Sequence, residues 1–377
     1  MFDTETARRY QRRRIAIRIA TLLVLLAYAV VLGLLAPRVS SWLAGVTTSR
    51  WLGLYLFGAA FFLGFELLTL PVGYYAVFHV EHAFGLSNQT RRGWLIHTAK
   101  ECLVGMVVGG ILVGMLYGAL WYGGRLWWLW VWIGWLGLSV GLAKLFPVLI
   151  LPLFYSAEAL DQPPLLERIG QLARDTGLTI KGVFKLGLSI ETKKANAMLA
   201  GMGATRRVYL SDTLLDAFDH NEIAVVFAHE LGHHIHRHIV KGIVLSAVLS
   251  TLTILAVAVV LSPCASPHAP WTDAVAALPR VVLAVALVSF ALSPLANAVS
   301  RRFERQSDWE AIERTRDPAA FRSTMEKLGR MNLADPKPAR WIELLFHDHP
   351  ALAKRIAMAD RWEVAARDRG AAGGPVA

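Results

Sequence analysis

The chain has 377 residues, 55% of them hydrophobic, which is more than one soluble domain of ordinary composition carries and points first to a polytopic membrane protein. Its formal net charge of +11 does not indicate nucleic-acid binding, because the Lys and Arg residues sit in short clusters beside apolar runs, where the flanks of membrane spans carry them. The two cysteines, Cys102 and Cys264, lie in an apolar run and a Pro-containing linker without a C-x-x-C neighbour, so they support no redox motif, thiolate zinc site or disulfide framework.

In chain order, six apolar runs reach the length of about 20 residues that a membrane helix needs: 15–36, 51–78, 95–120, 126–151, 239–262 and 277–299. The first follows "RRYQRRR" and reads as a retained anchor, since no small-x-small cleavage site follows it. Basic residues set the orientation. Arg8, Arg9, Arg12, Arg13 and Arg14 precede the first run, Arg91 and Arg92 separate the second from the third, and Arg301, Arg302 and Arg305 follow the sixth. These segments are expected on the cytoplasmic side, with the short loops near 37–50, 121–125 and 263–276 opposite. Within the third run Gly105 and Gly109, then Gly110, Gly114 and Gly118, recur every four residues and favour close helix packing inside the chain. Glu66 lies deep in the second run, either as a hydrogen-bonded packing residue or facing a water-filled cavity.

Two stretches are polar enough to form a domain. "DQPPLLERIGQLARDTG" begins the first with an amphipathic helix, Leu165, Leu166, Ile169 and Leu172 on one face and Gly177 as its stop. Strand-like "IKGVFKLGLSI" and "RRVYLS" follow, then a second helix from Asn221. The second stretch is helical by pattern. The expected division is a four-span membrane region (1–151), a first part of the polar domain (152–238), a transmembrane hairpin (239–299), a second part of that domain (300–365) and a disordered tail (366–377).

That second helix carries "HELGHHIHRH". His229, Glu230 and His233 form H-E-x-x-H, in which residues four apart share a helical face and two imidazoles can converge on one zinc ion. Glu230 can then reach a water at that ion as general base. On one straight helix His236 lies about 10.5 Å from His229 along the axis, too far for zinc bonds of about 2 Å. His238 falls on the opposite side and His234 points away, so a third ligand must come from elsewhere. "SRRFERQSDWEA", which follows the sixth run, places Glu304 and Asp308 four apart: Glu304 can ligate zinc while Asp308 orients a zinc-bound imidazole. Such a pair is also what a solvated helix face carries.

With these residues the chain resembles the type I CAAX prenyl endopeptidases, integral-membrane zinc metalloproteases of the gluzincin class, from about residue 50 to residue 360. In that family H-E-L-G-H is followed, after a membrane hairpin, by S-R-R-x-E-x-x-x-D, matched by Ser300, Arg301, Arg302, Glu304 and Asp308. The resemblance implies Glu304 as third ligand and Asp308 as support for a ligand. "VEHAFGLSNQT" (80–90) is similar to the family's loop between the second and third spans, and "PLFY" (152–155) to its entry to the first catalytic helix. "ANAMLAG" (195–201) is similar to a substrate-pairing edge strand, which implies Asn196 and Ala197 as substrate contacts. "HDHPALAKRI" resembles H-P-x-x-x-R, implying His349 as an oxyanion donor and Arg355 as the partner of a carboxylate. The chain departs from eukaryotic members in having six runs rather than seven, and in having Ala195 where the family has Ser.

The expected fold class is a mainly α-helical polytopic membrane protein of six membrane helices with a cytoplasmic metalloprotease domain that includes a small β-sheet; the resemblance implies that the helices form a barrel around an aqueous chamber. The expected function is zinc-dependent peptide hydrolysis with one zinc ion per chain. The substrate would be a peptide or protein, lipidated or membrane-associated, and the lipid bilayer is the other partner. An HtpX-like quality-control protease shares the zinc core but lacks the 80–90 loop; a non-proteolytic zinc scaffold or transporter would not need every catalytic position filled.

Overall fold

The computed structural model describes residues 3–174, 176, 180–201, 206–266 and 269–372. Helix α1 (Thr4–Val46) starts at Asp3, whose carboxylate accepts the N–H of Thr6, and continues through Pro37. The stretch expected as a loop near 37–50 is therefore mostly helical, because a lipid-embedded backbone keeps its hydrogen bonds by staying in one helix. Helix α2 (Arg50–Gly73) runs through a π-helical segment, Tyr74–Val80, into the short α3 (Glu81–Ala83). Thr90 caps α4 (Arg91–Tyr122), and α5 (Trp127–Leu145) passes through a second π-helical segment into α6 (Leu151–Phe154). "PLFY" thus ends a membrane helix and leads into a strand.

Among the described residues six helical stretches are long and apolar enough to cross a membrane: these four, one at His238–Cys264 and one at Trp271–Thr315. Leu34, Leu67, Val107 and Val259 stand exposed on them, as lipid-facing side chains do. The glycines of α4 divide. Gly105, Gly114 and Gly118 lie against Phe62, Tyr55 and Trp51 of α2, whereas Gly109 and Gly110 face open space. Buried Tyr117 donates its hydroxyl to the Ala274 carbonyl at 2.9 Å, tying α4 to α11 (Trp271–Ala276).

The water-soluble part is built on a four-stranded sheet of order β1-β2-β4-β3: β1 (Ala157–Ala159), β2 (Val183–Leu186), β3 (Ala197–Ala200) and β4 (Arg207–Ser211). β2 and β4 are parallel; the other pairs are antiparallel, and β3 is an edge strand. Between β1 and β2, α7 (Pro163–Ala173) ends before Gly177, the expected stop, which lies outside the described residues. After β4 come α8 (Asp212–Ala217) and α9 (His220–Ile235), the helix of the H-E-x-x-H motif.

Helix α9 is buried along nearly its whole length, so its position is set by packing rather than by its own propensity. Asp219 and Glu222 form a capping box, and Glu222 also accepts from Lys327 Nζ at 2.6 Å and Ser323 Oγ at 2.5 Å of α13 (Pro318–Met331). Phe227 and Leu231 share one core with Leu210, Ile312, Phe321 and Ala359. At Arg237 the backbone is left-handed, φ 53°, so α9 ends and α10 (His238–Leu261) sets off in a new direction. The return helix α12 (Leu278–Thr315) runs 38 residues without a break, from the membrane into the core beside α9. Helices α14 (Arg340–Phe346) and α15 (Leu352–Ala372) complete the chain. α15 enters the stretch expected as a disordered tail, whose last five residues, 373–377, lie outside the described residues.

Candidate metal centre

Helix α9 approaches α12 closely at Gly232. A Cβ there would lie 2.8 Å from Ser307 Cα and 3.2 Å from Glu310 Cβ, so glycine is what lets the two backbones meet. Ser307 lies between Glu304 and Asp308 on α12, and Gly232 next to His233 on α9; the close approach therefore brings the two motifs together.

Nε2 of His229 and Nε2 of His233 are 3.2 Å apart, and each is 3.3 Å from an oxygen of Glu304. The three donor atoms lie within 4.8 Å of one another. His229 and Glu304 are buried, and Oε2 of Glu304 makes no hydrogen bond of acceptable geometry. Two imidazoles and a buried carboxylate converging in this way are a donor set that suits zinc. The electrostatics agree. Burial works against a charged His229, yet the neighbouring Asp308 and Glu304 raise its pKa to about 9, so the carboxylates demand a cation, a proton or a metal, between them.

Around this centre, Nδ1 of His229 is 2.9 Å from Oδ1 of Asp308, an ion-pair distance that is not in hydrogen-bond alignment. Fully buried Asp308 accepts both Nε (2.8 Å) and Nη2 (2.6 Å) of Arg355 on α15. That bidentate pair spans α12 and α15. His349, in the turn before α15, has Nε2 3.1 Å from Glu304 Oε2 and Nδ1 2.8 Å from Asp348. Glu230 accepts the Leu199 N–H of edge strand β3 at 3.2 Å.

A cleft of about 590 Å³ is lined by His229, Glu230, Asn196, Ala197, His349 and Arg355. Beside it, the 80–90 loop braces the approach to β3: Asn88 N–H donates to Glu191 O at 3.0 Å and Lys193 N–H to Leu86 O at 2.9 Å. Glu81 of that loop binds Tyr10 (2.6 Å) and Lys194 (2.8 Å), joining α1, α3 and the residue two before Asn196.

Peptidase family M48 matches residues 159–363, more than half the chain, and the family described as "CAAX prenyl protease N-terminal, five membrane helices" matches residues 2–156. The chain belongs to peptidase family M48. Within M48 it falls with the CAAX prenyl endopeptidases, and it is a multi-pass membrane metalloendopeptidase. The M48 chain is 26% identical over 333 residues to "Uncharacterized metalloprotease YhfN" of Bacillus subtilis, covering 87% of this chain and 78% of that one. It is 27% identical over 299 residues to "CAAX prenyl protease 1 homolog" of Oryza sativa, covering 77% and 69%. In three dimensions it is similar to Ste24p of S. mikatae, with a TM-score of 0.79 and 21% identity over 94% of this chain and 88% of that one, a likeness of fold.

Three residues not expected at this centre shape it. Gly232 sets the helix approach, and its signal was already inside "HELGH". His238, placed on the far side by projecting one straight helix, instead has Nδ1 3.1 Å from Nδ1 of His233, because the left-handed Arg237 ends α9 and turns the chain back. Gln306, midway between Glu304 and Asp308 on α12, reaches Nε2 of His238 at 3.0 Å. His236 pairs with Glu310 at 3.4 Å, outside the centre.

Proposed function

We propose that this M48 peptidase is a zinc endopeptidase in which His229, His233 and Glu304 hold the metal and Glu230 is the general base. The observation that carries the reading is the convergence of two imidazoles and a buried carboxylate from two helices, with Glu230 next to them and hydrogen-bonded to an edge strand. A bound zinc ion would supply Lewis-acid polarisation of the scissile carbonyl and a lowered pKa for the attacking water. Glu230 takes the proton of that water and passes it to the leaving amine. His349 offers an N–H to the developing oxyanion from the same cleft. Asp308 steadies His229 and is itself held by Arg355.

The substrate would add to the sheet. Asn196 bonds inward, donating N–H to Ser211 Oγ and accepting from Ser211 N–H, both at 3.0 Å, so by strand alternation Ala197 offers its backbone to the open edge of β3. An extended peptide paired there lies alongside Glu230. Membrane topology supports cytoplasmic catalysis, because the basic clusters at the starts of α1 and α4 and after residue 299 share the side of the sheet. The relatives named CAAX prenyl proteases support a prenylated peptide as substrate class. Purified protein incubated with prenylated and unprenylated CAAX peptides, with and without a chelator, tests this. Chelator-sensitive cleavage favouring the prenylated peptide is expected, and equal cleavage of both removes the prenyl claim.

A further inference from the structure

We infer that His238, supported by Gln306, is a positioning residue that orients the metal-ligating ring of His233, an inference that rests on His233 being a ligand as proposed above. The hydrogen-bond chain has one consistent proton arrangement. If Nε2 of His233 gives its lone pair to a cation, the ring's proton sits on Nδ1, and that N–H needs an acceptor. The atom 3.1 Å away is Nδ1 of His238. His238 must then accept at Nδ1 and carry its own proton on Nε2, which is 3.0 Å from Oε1 of Gln306. Gln306 accepts through its carbonyl oxygen, and the chain His233 to His238 to Gln306 closes with every donor facing an acceptor.

The structure is built to hold His238 in this orientation. Its ring is buried and stacks on Phe303 of α12 at 4.3 Å between centroids and 12° between planes, which fixes the ring face while leaving both nitrogens in the hydrogen-bond plane. The left-handed Arg237 brings His238 back onto α9, and both Phe303 and Gln306 come from the helix that also carries Glu304. The two ligand histidines are therefore supported differently. His229 faces the anionic Asp308, whereas His233 faces a neutral imidazole. A neutral acceptor orients the ring without adding a third negative charge to a centre that already holds Glu304 and Asp308.

Four variants, His238→Phe, His238→Asn, Gln306→Leu and His233→Ala, test the inference on the full-length protein in detergent by zinc dissociation constant from chelator competition, with apparent unfolding temperature alongside. His238→Phe keeps an aromatic ring for Phe303 but offers His233 no acceptor; it should weaken zinc binding by about 10- to 100-fold at an unchanged unfolding temperature. Gln306→Leu should weaken it less, and His238→Asn, which restores an acceptor oxygen without the stack, should recover part of the loss. Parental zinc affinity in His238→Phe overturns the inference, as does equal loss in the Phe and Asn variants. His233→Ala separates the two readings: tight zinc binding in that variant removes His233 as a ligand, whereas its loss together with parental affinity in His238→Phe removes only the role of His238.

Discussion

Gly232→Ala should damage the metal centre far more than the fold. The added Cβ would sit 2.8 Å from Ser307 Cα, roughly 0.7 Å short of the closest comfortable carbon–carbon separation. Overlap of this kind in a packed core costs about 1–3 kcal/mol, while replacing glycine by alanine inside a helix returns about 1 kcal/mol of propensity. The net loss of stability is therefore about 0–2 kcal/mol. The geometric effect is larger, because the only relief is for α12 to move away from α9 by the same fraction of an ångström, and α12 carries Glu304 and Asp308 on either side of Ser307. A displacement approaching 1 Å is enough to lower turnover by about 10²-fold. Gly170→Ala on α7, where a Cβ meets nothing within 4 Å, is the control. The assay is peptide cleavage and zinc affinity by chelator competition, with unfolding temperature read in parallel. Parental cleavage and zinc affinity in Gly232→Ala would refute the reasoning that this contact sets the distance between the two motifs.

Arg355→Met leaves Asp308 buried without its bidentate partner and should cost about 3–5 kcal/mol, read as a lowered unfolding temperature. Asp308→Leu combined with Arg355→Met should recover part of that stability, and a parental unfolding temperature in the single variant would contradict the pairing. Glu66 lines a cavity of about 430 Å³ together with His97, Glu101, Arg14 and Glu191. A cysteine at position 66, in a chain lacking Cys102 and Cys264, should react with a water-soluble thiol reagent, and complete protection would show that this cavity is dry.

The membrane helices were legible because a lipid-embedded segment must be long, apolar and internally hydrogen-bonded, and all six runs satisfy those conditions. Their ends were less legible. α1 continues through 37–46 and the sixth span continues to Thr315, since a helix crossing into water or protein meets no compositional stop until a capping or left-handed residue such as Arg316. In the centre, four-residue spacing placed His229 with His233 and Glu304 with Asp308, because each pair lies within one unbroken helix. The same projection failed for His238. Its error was to carry a single helical phase across Arg237, a residue type that gives no hint of φ 53°. The meeting of α9 with α12 depends on Gly232 and Ser307, residues whose significance lies in what faces them, and that is a property of the fold. Asn196, Ala197, His349 and Arg355 were reached through family resemblance; the structure brings all four to one cleft with Glu230.

The central claim is that Glu230 moves the proton in a centre whose metal is held by His229, His233 and Glu304. Glu230→Gln keeps the side chain's size and leaves those three donors untouched. Zinc content and peptide cleavage measured on that one variant test the claim directly: a full zinc complement with cleavage abolished is predicted, and zinc-replete protein that cleaves at the parental rate would contradict it.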